Sequence, residues 1–179
     1  MKLSLYAISV ETFAPMLRML MQILDKGAEQ SKTKGRDPET LLAARLAPDM
    51  YPLGVQIQIA CGHAADAVAR LTGKEPVKAE NNEKTLADFR ERIAAALAVL
   101  DSADPAQFEG AEHRKIVFDL IENLALEVDG LQYVRDWALP NFYFHIVTAY
   151  DILRHEGVEI GKREFLPHVA AYIRPKAAS

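Results

Sequence analysis

Two histidines are the residues of this chain best placed to do chemistry. His63 lies ten residues before Gly73 in a run of alanines and aliphatics, and His145 lies in the aromatic string PNFYFHIVTAYDILRHEG. An imidazole titrates near neutrality and keeps a lone pair on one ring nitrogen, so a facing pair would serve as acid and base or as part of a metal site. At helical spacing His63 shares a shoulder of its apolar stripe with Gln56 and Arg70, seven residues away on either side. His145 shares a shoulder of its own stripe with Ile152. Both histidines then border a cleft between their helices, and Gln56, His63, Asn141 and His145 are the candidate ligand-binding residues. The competing reading is two helix-edge histidines bonded to backbone or to Gln56 and Thr148.

A metal needs more than this pair. Zinc ordinarily takes at least three protein ligands, and two imidazoles leave a labile site. Asp49, Asp66 and His155 are the donors that could add a third, but none has a spacing that demands it. The expectation is no metal and no cofactor; a divalent metal, if bound, would rest on His63 and His145. Cys61 stands two residues from His63, a separation that does not bring side chains together on a helix. It falls on the apolar side and reads as a buried, inert thiol. Asn141 and the neighbouring aromatics either line a cavity or are simply core. The segment Lys162–Phe165 reads as a solvated basic turn. The chain has no nucleophile elbow, phosphate loop or CxxC pair.

The elements that would position these residues are helices. Phe13, Leu17, Leu20 and Leu24 recur at helical spacing over residues 4–29, with Pro15 either near a late helix start or at a kink. Residues 30–38 read as a loop and Leu41–Leu46 as a short helical piece. A second helix over 50–72 has Asp49 as candidate N-cap, Pro52 in its first turn and Gly73 as its stop. Thr85 with Asp88 forms a capping box for a third helix over 85–102. Pro140 is expected to restart the chain, giving a fourth helix over 141–156 whose apolar girth calls for a central place or a subunit contact. Between the last two, residues 115–129 alternate in two short runs around Glu122-Asn123. This suggests a β-hairpin, with a continuous helix as the competing reading. The tail after Gly161 could dock through Phe165, Leu166, Val169 and Tyr172, and RPKAAS reads as a frayed end.

Composition narrows the function. Half of the 179 residues are apolar and the formal charge is −4 without a basic block, which argues against nucleic acid as partner. The longest unbroken apolar runs fall short of a membrane span, and Glu11 comes too early for a signal-peptide core. One cysteine permits no intrachain disulfide, so a cytoplasmic protein is the expectation. The chain reads as a single domain over 1–179.

The strings PNFYFHIVTAYDILRHEGVEIGKREF and LAPDMYPLGVQIQIA, with the initial helix, resemble an uncharacterised bacterial domain family grouped with the DinB/YfiT-like four-helix bundles. The resemblance covers nearly the whole chain. It implies an all-α, DinB/YfiT-like four-helix bundle, often dimeric, with no established activity for this branch. Relatives in the wider superfamily include thiol-dependent transferases and isomerases, many holding a divalent metal with three histidines. Carried over, those ligands fall on His63, His145 and Ala149, and alanine has no donor atom. Two functions follow as expectations: a small-molecule-binding or stress-related bundle without catalysis, acting as a homodimer, or an altered DinB-like metal- or thiol-dependent transferase in the cleft between the second and fourth helices.

Overall fold

The computed structural model describes residues 4–175. Four long helices form the body: α1 (Leu5–Thr33), α2 (Leu53–Leu71), α3 (Leu86–Asp101) and α4 (Leu139–His155). A two-stranded antiparallel hairpin, β1 (Ile116–Ile121) and β2 (Leu124–Val128), lies in the connection before α4. Glu122 and Asn123 turn it, with Asn123 at φ +62°. The architecture is therefore the all-α bundle with a small hairpin that periodicity and turn chemistry anticipate. The final residues 176–179 of the RPKAAS end lie outside the described residues.

Around the bundle each helix has two principal neighbours: α1 packs on α3 and α4, and α2 packs on α3 and α4. Directions follow from the pairs that meet. Arg18 reaches Asp101 and Asp25 reaches Arg90, so α1 and α3 are antiparallel. Gly54 abuts Phe89 and Gln58 bonds Glu83 just ahead of α3, so α2 and α3 run parallel. Gln56 meets His145 and His63 meets Trp137, so α2 and α4 are antiparallel. The order is up-down-down-up. A parallel α2–α3 pair obliges residues 72–85 to travel back along the whole groove between them.

This return strap is held at its far end. The Arg92 guanidinium donates to Glu83 Oε1 (2.7 Å), to the Glu80 carbonyl and to Asn81 Oδ1, while Gln58 Nε2 donates to Glu83 Oε2 (2.8 Å). The Arg92 and Glu83 side chains are only 13% and 9% exposed, so this ion pair is desolvated, unlike the surface pairs between α1 and α3. The strap then enters α3 through the expected capping box: Thr85 Oγ1 accepts from Asp88 N–H and Asp88 Oδ2 accepts from Thr85 N–H.

Several boundaries differ from the sequence reading. α1 continues to Thr33, four residues past the expected end, because Gly35 at φ +69° supplies the stop. It passes through Pro15 in mid-helix rather than starting late. The piece expected at Leu41–Leu46 is a 3-10 turn over Pro38–Ala43, capped by Asp37. Asp49 does not cap α2; Pro52 occupies the N-cap place, with the helix beginning at Leu53. Pro140 does not restart the chain. Asp129 and Gln132 form a capping box, Tyr133–Ala138 is a π-helical stretch, and the backbone runs on into α4. A π turn bonds five residues ahead rather than four, which lets the ladder step around a proline that has no N–H. The start of this unit needs Gly130, where an added Cβ would lie 1.9 Å from the Ala111 carbonyl oxygen.

The core lies between the helices, with Phe13, Leu17, Leu53, Ile57, Phe142 and Leu153 wholly buried. α1 is long and apolar enough to cross a membrane by length and mean hydropathy, although no single unbroken run is. More than half of its most apolar stretch is buried against the other helices. The tail is tied by Lys26 to Glu164 and by Phe165 edge-on to Tyr150, whereas Tyr172 and Ile173 stay largely exposed.

Candidate functional site

The antiparallel packing of α2 on α4 brings Gln56, His63 and His145 together. The two imidazoles stack with centroids 6.0 Å apart and planes 17° from parallel. Gln56 is buried, and its amide is orientated by the backbone: Nε2 donates to the Tyr51 carbonyl at 3.0 Å. Its Oε1 therefore faces His145, and His145 Nδ1–H donates to it at 2.7 Å. An amide oxygen can only accept, so the neutral ring carries its proton on Nδ1 and keeps a lone pair on Nε2.

Both rings are held neutral. Burial, reinforced by the nearby His145, takes His63 down to about 4. Burial also lowers His145. Trp137 closes one side with its ring edge-on to His63 at 6.3 Å, and exposed Phe144 stands edge-on to His145 at 5.2 Å. Asn141 does not join the pair by any bond; its Nδ2 donates to the Trp137 carbonyl at 2.8 Å, serving the junction between the π stretch and α4.

His63 also borders a cleft of about 750 Å³ on the outer face of α2, walled by α3 and roofed by the strap. Asp66 and Arg70 line the same cleft one and two turns beyond His63. Burial raises the Asp66 carboxyl above the usual carboxylate range, with Arg70 working in the opposite direction. The Arg70 guanidinium lies 4.1 Å from the centroid of Phe118 on β1. Tyr133 is packed edge-on against the same ring, and burial pushes its phenol well above the ordinary value, against the pull of Arg70. Cys61 is buried at the cleft floor, and burial pushes its thiol up to about 12, which leaves negligible thiolate at neutral pH.

Ala149, where the resemblance calls for a third ligand, is wholly buried core. Among the described residues no three His, Cys, Asp or Glu side chains come together as a metal-holding group. Asp66, considered from sequence only as a donor, and Arg70, noted only for its phase, prove to be cleft residues. Their spacing from His63, three and seven residues, was the available signal. Phe118 and Tyr133 gave none, because only the packing of the hairpin and of the π stretch on α2 brings them to Arg70.

The family described as a domain of unknown function, DUF1993, matches residues 5–166. Among solved structures, a crystal structure of a DinB family member from Shewanella denitrificans matches with a TM-score of 0.84 and 39% identity, over 98% of this chain and 96% of that one. No curated protein matches the chain.

Proposed function

We propose that this chain, which belongs to the DUF1993 family and shares its fold with a DinB family member, is a cytoplasmic small-molecule-binding bundle. The observation that carries the reading is the cleft of about 750 Å³ lined by His63, Asp66 and Arg70, with His63 kept neutral and stacked on His145, whose ring Gln56 orientates behind it. That volume suits a small organic ligand, and the walls combine apolar surface with a few polar groups. A single buried cysteine suits a reducing compartment.

The ligand count favours binding without a resident transition metal. His63 and His145 offer two nitrogens, and Ala149 supplies a methyl group in place of a third donor. The transferase alternative retains one favourable feature, the lone pair on His145 Nε2, which could act as a base. It lacks an activated thiol, since Cys61 is held protonated.

The test is a fragment screen by ligand-observed NMR, followed through the emission of Trp137, the only tryptophan. Fragments that bind wild type, change Trp137 emission and are lost in His63→Ala support the reading. Fragments unaffected by both His63→Ala and His145→Ala overturn it. Metal analysis of freshly purified protein accompanies the screen. Near-stoichiometric zinc, nickel or iron, lost in His145→Ala, would move the metal-dependent transferase ahead.

We propose further that the protein is a homodimer. The outer face of α4 carries Phe144, 60% exposed, and Val147, 40% exposed, and apolar residues of this size grouped on a helix face favour a partner surface.

A further inference from the structure

Asp66 and Arg70 stand one turn apart on α2, and both are half-buried in the wall of the cleft. Opposite charges at this spacing on a helix ordinarily close into an ion pair. Here they do not: among the described residues no carboxylate oxygen comes within 4.0 Å of the Arg70 guanidinium. The reason lies on the hairpin. Phe118 holds the guanidinium 4.1 Å from its ring centroid, and Tyr133, packed edge-on against that ring, lies beside the same group. Asp66 feels Arg70 across the gap but closes no ion pair with it, and Arg70 keeps N–H groups that no carboxylate occupies.

Unmatched opposite charges in a half-buried wall retain a desolvation cost that a bridging ligand can offset. A ligand with only an anionic group would meet Arg70 but face Asp66; one with only a cationic group would meet the reverse. A group carrying both signs on adjacent atoms satisfies both side chains at once. In the remaining wall Ala65 on α2, Val77 on the strap and Ala96 and Val99 on α3 are apolar, Arg92 is already paired with Glu83, and Glu75 and Lys78 of the strap add one charge of each sign. His63 is neutral and does not disturb the charge balance.

We infer that the cleft takes a zwitterionic α-amino acid with an apolar side chain, its ammonium group on Asp66, its carboxylate on Arg70 and its side chain along Val77 and Val99. This identification rests on the ligand-binding reading above and adds the chemical class.

Three probes test it by calorimetry and Trp137 emission at millimolar concentration: L-leucine, N-acetyl-L-leucine and L-leucinamide. Wild type is expected to bind leucine about tenfold or more tightly than either blocked form, since each lacks one charge-assisted contact. Asp66→Asn should abolish the preference over N-acetyl-leucine, and Arg70→Met the preference over leucinamide. Arg70→Lys keeps the charge and should retain part of the preference, which separates lost recognition from lost folding; thermal melting checks each variant. Equal binding of all three probes would overturn the zwitterion assignment while leaving a ligand-binding cleft. Failure of leucine to bind wild type would overturn it as well, and the fragment screen then decides the cleft reading independently.

Discussion

His63 is the side chain whose chemistry the fold alters most among the histidines. In an unfolded chain it titrates near 6.5, and in the folded protein near 4, because burial and the adjacent His145 disfavour the imidazolium. The unfolded state therefore binds the proton first as pH falls. The contribution to stability is complete above pH ~6.5 and is lost as pH falls through about 4. After allowance for partial exposure the loss is on the order of 2 kcal/mol. Urea unfolding at neutral pH and near pH 4.5 should show a smaller pH effect in His63→Leu than in wild type; equal slopes would refute the assignment. Gln56 gives a second prediction. Gln56→Leu leaves both the Tyr51 carbonyl and His145 Nδ1–H without their partner. It should cost ~1–3 kcal/mol, and nitrogen chemical shifts of His145 should report a mixed tautomer. A ring that stays in one tautomer would show that something other than Gln56 selects it. Helical phase alone put Gln56, His63 and His145 on facing shoulders. It could not reveal that Asn141 spends its amide on the Trp137 carbonyl, because that bond depends on a π stretch invisible to a 3.6-residue period.

At the level of elements, the strap over residues 72–85 is the part on which the cleft depends. It forms the roof, and its position relies on Arg92, Glu83 and Gln58. Removing one member of a desolvated ion pair leaves the other charge uncompensated. Arg92→Met should therefore destabilise the protein by about 2–4 kcal/mol and raise amide exchange over residues 78–84 more than in α1. If exchange rises uniformly across the helices, the pair is a general stabiliser and not a latch for the strap. The hairpin has a comparable role on the other side. Its exposed residues, including Ile121 and Leu124, are not what α2 uses; Phe118 is, through its contacts with Arg70, Tyr133 and Trp137. The alternating runs around Glu122-Asn123 made the hairpin legible in sequence, but no local pattern indicated which of its side chains would reach α2.

For the whole molecule, the proposed homodimer makes a direct prediction. If α4 carries the contact, sedimentation at tens of micromolar should give a dimer, and Phe144→Asp should yield a folded monomer with unchanged helical content. A wild-type monomer under these conditions would refute the proposal. Phe144 also stands edge-on to His145, which stacks on the cleft residue His63, so the same substitution tests whether the interface is felt through the histidine pair. Trp137 emission on titration with leucine should then differ between wild type and Phe144→Asp if the two are linked.

Local chemistry in the chain specified the four helices, the stop at Gly73, the capping box of Thr85 and Asp88 and the turn at Glu122-Asn123. Each of these depends on residues within a few positions of one another, through apolar period, a left-handed glycine or a side chain capping its own backbone. Direction and adjacency were of another kind. Nothing in residues 72–85 declared that they would return along a groove and set α2 parallel to α3, since loop composition is indifferent to where its ends are carried. That arrangement, decided by the combined burial of four apolar stripes, is what exposes the His63, Asp66 and Arg70 face of α2 in a roofed cleft. The separation of Asp66 from Arg70 likewise required the tertiary structure. Sequence spacing alone favours their pairing, and an aromatic ring from a strand 48 residues away along the chain, Phe118, competes for the guanidinium.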